Sequence, residues 1–219
     1  MKRVVLLPHT VAQPTLRVRY GKRATVSGVL LLANGTPLAG TSVAILAAPD
    51  NGLGQFALAG TATTAANGSW TITVPPGPSR LIEAAYPGDS ATEPVTSSIA
   101  TLTVPARIKL VRVTPRVAWG GTVHIVGELL GGYLPPGGAL VRLEIGHGNS
   151  STTFGVKEHV ATEQFTTSYQ FGEGDPSDYT RFWFKLATLP QGDYPYASAS
   201  SRRRYVLVGG RPSSPSSHR

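Results

Sequence analysis

Apolar and polar residues alternate along most of this chain. Ser69-Trp70-Thr71-Ile72-Thr73-Val74 puts Trp70, Ile72 and Val74 on one side and three hydroxyl residues on the other. Leu140 to Ile145 places Val141, Leu143 and Ile145 inward, with Arg142 and Glu144 outward. Ile99 to Val104 turns Ala100, Leu102 and Val104 to one face, and Phe165 to Phe171 does the same with Phe165, Tyr169 and Phe171. A period of two with one wet face predicts antiparallel strands. No window of about 11 residues sustains the i, i+3, i+4, i+7 spacing of an amphipathic helix. Between the alternating runs stand Asn34-Gly35, Asn51-Gly52, Asn67-Gly68, Pro75-Pro76-Gly77-Pro78, Pro87-Gly88-Asp89 and Pro135-Pro136-Gly137-Gly138, all turn formers. Asn67-Gly68 predicts a tight two-residue hairpin.

The pattern repeats. Tyr20-Gly21, then Thr25-Val26-Ser27-Gly28, matches Trp119-Gly120, then His124-Ile125-Val126-Gly127, an offset of 99 at the shared glycine. Pro37-Leu38-Ala39-Gly40 with Val43 and Ile45 matches Pro135-Pro136-Gly137-Gly138 with Val141 and Leu143. Trp70 falls against Phe165, Gly88-Asp89 against Gly192-Asp193, and Leu102 and Val104 against Val206 and Val208. Two copies of a unit of about 100 residues have the size of two β-sandwiches. The expected architecture is all-β, with two tandem immunoglobulin-like antiparallel β-sandwiches at 12–104 and 107–208. A basic tail at 209–219, rich in Gly, Ser and Pro, is expected to be disordered. The join at Val104–Arg107 has no Gly/Ser spacer and reads as a short stiff hinge, so residues 1–105 are expected to fold alone.

Composition narrows the classes further. The 219 residues are 41% hydrophobic and only 15% charged, which is not the profile of a charge-driven disordered chain. The 25 Gly and 18 Pro residues follow no three-residue period, which excludes collagen. With no Cys, disulfide scaffolds, Cys-ligated zinc and Cys nucleophiles are excluded. The net charge is +8, which admits polyanionic partners, yet the basic residues are scattered apart from Arg202-Arg203-Arg204. No specific nucleic-acid partner, cofactor or membrane span is expected, and a monomer is.

Tyr86-Pro87-Gly88-Asp89-Ser90, followed by Ser97-Ser98 and the strand Ile99 to Val104, resembles the last hairpin of the tandem immunoglobulin-like repeats of bacterial surface and secreted proteins. Gly35-Thr36-Pro37-Leu38-Ala39-Gly40-Thr41-Ser42-Val43 and Thr63 to Trp70 are similar to the carboxypeptidase regulatory-like sandwich. The first copy carries the resemblance over about ninety residues; the second departs from it at Glu163-Gln164-Phe165 and Gln191-Gly192-Asp193-Tyr194. These are turn and core motifs. What the resemblance implies is extracellular placement and a spacer, adhesive or glycan-contacting role. Met1-Lys2-Arg3 and Val4 to Leu7 begin like a secretion signal, but the apolar run stops after four residues, short of the roughly 7–15 required. This segment reads as a false start or an eroded signal.

Catalytic sets are sparse. There is no G-x-S-x-G, and the five His are scattered. Gly172-Glu173-Gly174 lacks the third glycine of a phosphate loop. His147, Glu158 and His159 share one region without a zinc spacing, and solvated loop residues are the plainer reading. Glu173, Asp175 and Asp178 offer three carboxylates that could face Ca²⁺, but Asp-Pro-Ser-Asp is also an ordinary turn. The chain therefore reads as a non-enzymatic structural or adhesive module. The alternative is a carbohydrate-binding module that uses Tyr179, Arg181, Trp183 and Lys185. In Tyr179 to Leu186, parity sends Phe182, Phe184 and Leu186 to the core and these four outward. An outward Trp183 between two cations could stack on a sugar or meet an anionic polymer, helped by Arg202, Arg203 and Arg204. It could equally be packed by cation–π contact on the outer face.

Overall fold

A computed structural model describes residues 2–8, 15–148, 153 and 155–210. These form seventeen strands, and no helix occurs among the described residues. The chain is all-β and divides into two compact units, one of residues 1–105 with 192–197, the other of residues 106–191 with 198–219.

Unit 1 contains β1 (Val4–Pro8), β2 (Thr15–Arg17), β3 (Ala24–Leu32), β4 (Ser42–Pro49), β5 (Ala57–Thr63), β6 (Ser69–Val74), β7 (Arg80–Tyr86), β8 (Val95–Thr96) and β9 (Ala100–Thr103). One sheet runs β1-β3-β6. The other runs β2-β9-β7-β4-β5, with β8 on β7. Unit 2 contains β10 (Arg107–Val113), β11 (Arg116–Val117), β12 (Thr122–Leu130), β13 (Ala139–His147), β14 (Gly155–Ala161), β15 (Gln164–Gln170), β16 (Tyr179–Thr188) and β17 (Arg204–Gly209). Its sheets run β10-β12-β15 and β11-β17-β16-β13-β14. The two orders are the same order. Each unit even has one parallel pairing at the same place, β2 with β9 and β11 with β17, in otherwise antiparallel sheets.

Packing explains why the repeat keeps a glycine and an aromatic residue. Gly28 on β3 stands opposite Trp70 on β6, and Gly127 on β12 stands opposite Phe165 on β15. All four are buried on the inner face. A Cβ on Gly127 would overlap the Phe165 ring, so the absent side chain is the space the ring fills. The inner faces otherwise carry alternating aliphatic residues: Val43, Ile45, Ile82 and Leu102 in unit 1, and Val141, Leu143, Ile145 and Leu186 in unit 2. In unit 2 the rings of Phe171 and Tyr169 from one sheet meet Phe182 and Phe184 of the other, which joins the two layers.

Several expectations change. Val4–Pro8 is a strand: it pairs with β3 from Val4↔Leu32 to Pro8↔Gly28, and Val4 is buried. Backbone bonds from Lys2 N to Ala91 O and from Ala33 N to Arg3 O hold it there. Asn67-Gly68 is not a two-residue hairpin. It closes a turn over Ala65–Gly68 that carries the chain from one sheet to the other, with positive φ at Gly68 alone of the two. Unit 1 takes in 192–197 as well as 1–105: Ser79 N donates to Pro195 O at 2.8 Å, and Ala197 N to Val104 O at 2.9 Å. Strand β17 runs through Gly209, and residues 211–219 lie outside the described residues.

Candidate functional site

Tyr179, Arg181, Trp183 and Lys185 do share the outer face of β16, as parity requires, but they do not form an open platform. Trp183 is 0% exposed. It stands opposite Gly146 on β13, where any Cβ would collide with the indole, so the ring lies down on the glycine. The Arg203 guanidinium covers its other side at 4.1 Å from the ring centre. Trp183 is thus packed under a cation and has no face left for a sugar. Its neighbours are similarly engaged: Arg181 stacks on Tyr205 at 4.1 Å, Arg116 on Tyr179 at 5.4 Å, and Lys185 pairs with Glu144 at 2.7 Å. Tyr179 and Tyr205 keep substantial exposure, at 53% and 40%.

The cations converge elsewhere. In Arg107-Ile108-Lys109-Leu110, alternation on β10 buries Ile108 and Leu110 and sends Arg107 and Lys109 to solvent. Residues 200–204 run alongside. They are held by Ser201 N donating to Leu186 O at 2.8 Å and by Leu186 N donating to Ser201 Oγ at 3.0 Å. Between these two segments lies a groove of about 600 Å³ lined by Arg107, Lys109, Arg202, Arg203 and Arg204, with no carboxylate among its lining residues. Glu128 reaches Lys109 from the neighbouring strand at 3.1 Å. Arg203 is half-buried because it stacks on Trp183, whereas Arg107, Lys109, Arg202 and Arg204 are exposed.

The other candidates resolve into structure. Asp175 Oδ1 accepts from Ser177 N at 2.8 Å and Ser177 Oγ at 2.7 Å, and these bonds hold its carboxyl below the ordinary value. Glu173 lies against Gly120. Glu158 pairs with Arg142 at 3.0 Å on the outer face of β14, while His159 bonds Thr167 on the inner face, and the His147 ring meets Phe182. Burial, then the Lys157 charge, pushes His159 down. Among the described residues, no three His, Asp or Glu side chains come together as a metal site. Asp89 accepts from Thr92 Oγ1 and from the Thr92 and Ala91 amides at 2.8 Å, which locks the turn after β7. The Thr92 hydroxyl is the main cause of its lowered pKa. Tyr194, buried in unit 1 with Tyr20 nearby, is pushed up to about 12 chiefly by burial. Asn34 and Asn67 each cap a turn, to Thr36 N and Ser69 N, both at 3.0 Å.

No family model matches the chain, and no curated protein matches it. Among solved structures it is similar to the Yersinia pseudotuberculosis adhesin InvE, at 13% identity over 94% of this chain, with a TM-score of 0.44. It is also similar to a tetra-tandem repeat from the extending region of a large adhesion protein, at 13% identity over 96% of this chain and a TM-score of 0.45. A Salmonella alpha-2-macroglobulin matches at 14% identity over 96% of this chain and a TM-score of 0.35. The chain spans 58%, 50% and 15% of those three chains respectively. At such distance these matches carry no functional assignment.

Sequence reasoning picked out Arg202 to Arg204 but not Arg107 and Lys109. Their signal was present: cations alternate with Ile108 and Leu110 directly after the join. Pairing them with residues 200–204 takes the fold, because nearly a hundred residues separate the two segments.

Proposed function

We propose that this chain is a non-enzymatic immunoglobulin-like tandem that serves outside the cell as a structural spacer or adhesive module of a bacterial surface or secreted protein, of the immunoglobulin-like and carboxypeptidase regulatory-like repeat type. The observation that supports it is the recurrence of one two-sheet topology in two units. The residues with chemical potential are spent on turns and packing: Asp89 and Asp175 fasten loops, and Trp183 is a packing element. A two-sheet sandwich of about 100 residues suits a module strung between others. A sugar platform centred on Trp183 is withdrawn, since the indole is covered.

Labelling intact cells of the native host with a membrane-impermeant amine reagent tests the reading. Label is expected on the protein before lysis. Label that appears only after lysis would overturn extracellular placement.

A further inference from the structure

We propose that two copies of this chain associate through β5, an outer strand of the larger sheet of unit 1, which pairs antiparallel with its own counterpart about a two-fold axis. The protein is then a dimer rather than the expected monomer. Strand β5 ends its sheet, with β4 on one side and no further strand on the other among the described residues. Thr64 N donates to Thr41 O, and Thr64 O accepts from Gly40 N, both at 2.9 Å, so Thr64 turns its backbone toward the β4 side. By the alternation of an antiparallel ladder, Thr63 and Thr61 turn theirs away from the sheet. The extra residue Ala59, where the register of β5 on β4 shifts, lies before this stretch. Outward N–H and C=O groups on an edge are a template for another extended strand.

The chemistry of the edge selects that strand. No Asp, Glu, Lys, Arg or His occurs from Asn51 to Ser79, although 15% of the chain is charged. This stretch supplies both β5 and β6, each at the end of its sheet. Leu53, Phe56 and Leu58 within it are exposed, and Leu58 stands opposite Leu46 of β4. The equivalent strand of unit 2 is guarded. Strand β14 also exposes Val156 and Val160, but Lys157, Glu158 and His159 stand between them. A strand laid along β14 would have to strip water from Lys157 and from the Glu158–Arg142 pair. Strand β5 asks instead for a neutral extended partner, since a charged one would bring ions to a seam that offers them no counterion. A second β5 meets that demand. Antiparallel self-pairing sets no like charges opposite each other, and one patch serves both subunits.

The test uses the full chain in sedimentation velocity, from low to high micromolar concentration. T61P removes an N–H that points away from β4, a place where edge strands tolerate proline. L58K puts a charge on the seam. T71K puts the same charge on β6, where Thr71 is also exposed. Circular dichroism reports whether each variant is folded, and if one seam variant is not, the other carries the comparison. The wild type should pass from monomer to dimer as concentration rises and stop there. T61P and L58K should each weaken the dimer at least about tenfold, because the two-fold axis doubles every change made at the seam. T71K should dimerise like wild type. A wild type that stays monomeric throughout would overturn the proposal, as would seam variants that dimerise as tightly as wild type. A loss on T71K equal to that on L58K would move the contact to β6 and overturn the β5 seam. Growth beyond the dimer would overturn the two-fold axis.

Discussion

The two units share a skeleton and differ in what they show to water. Inside, each keeps a glycine facing an aromatic ring, Gly28 with Trp70 and Gly127 with Phe165, at the same place in the same sheet. Outside, the corresponding faces of the large sheets have diverged. On β7 the outward residues are Leu81, Glu83 and Ala85, with Ala44 and Leu46 beside them on β4. On β16 they are Arg181, Trp183 and Lys185, tied into stacks and an ion pair with Tyr205, Arg203 and Glu144. The cores differ in kind too: unit 2 is filled by Phe171, Phe182 and Phe184, where unit 1 sets aliphatic residues around Trp70, Tyr86, Tyr194 and Tyr196. Interior positions answer to ring size and pleat, so the pattern survives. Exterior positions are free of that constraint, and there the basic groove of unit 2 arises.

The comparison breaks first at its aromatic pairs. Trp70→Ala and Phe165→Ala should each cost about 3–5 kcal/mol, the loss typical of large rings removed from cores. The rings are 3% and 8% exposed. Urea titration followed by circular dichroism measures both, and a large cost in one unit with none in the other would show that the pairs are not equivalent. Trp183→Ala should cost a similar amount despite its outer-face position, because the indole is fully covered. Arg203→Ala should cost less, about 0.5–2 kcal/mol, the range of cation–π contacts. A Trp183→Ala variant as stable as wild type would return the indole to solvent.

A smaller effect sharpens the contrast at the loops. The Asp89 carboxyl is held below its ordinary value of 3.8 by Thr92 first and the Ala91 amide next. Its contribution is therefore present above that value and lost as pH falls through the lowered one. Asp89→Asn should destabilise unit 1 at neutral pH, and the gap to wild type should close in acid. Thermal melts at descending pH read this out, and a gap constant down to the most acid melt would remove the carboxylate from the turn's energetics.

Alternation and the 99-residue offset were enough to place β3, β4, β6, β12, β13, β15 and β16, because a half-buried strand writes its pleat into its residues. Strand β1 was hidden by its own composition: Val4 to Leu7 is continuously apolar and so resembles a leader. Parity set Trp183 on the correct face, but its cover comes from Arg203, twenty residues on and across a strand pairing. Residues 192–197 were expected in the second copy, within 107–208, and their place in unit 1 depends on partners such as Ser79 and Val104, more than ninety residues earlier. The basic groove was half legible for the same reason: Arg202 to Arg204 is a run, while Arg107 and Lys109 join it only through the fold.

The central claim is that one strand order, with its parallel pairing, occurs twice. A chain without cysteine allows a direct test by cysteine pairs in a register that differs between hypotheses. Arg17 stands opposite Thr103 on the β2–β9 pair, and Arg116 opposite Leu207 on β11–β17. Arg17→Cys with Thr103→Cys, and Arg116→Cys with Leu207→Cys, put each thiol pair on adjacent strands about 4.8 Å apart, within disulfide reach. Arg17→Cys with Thr101→Cys sits two residues out of register and beyond that reach. Under mild oxidation the account predicts near-complete crosslinking of both matched pairs and little of the shifted one. Crosslinking of only one matched pair, or of the shifted pair as readily, would contradict it.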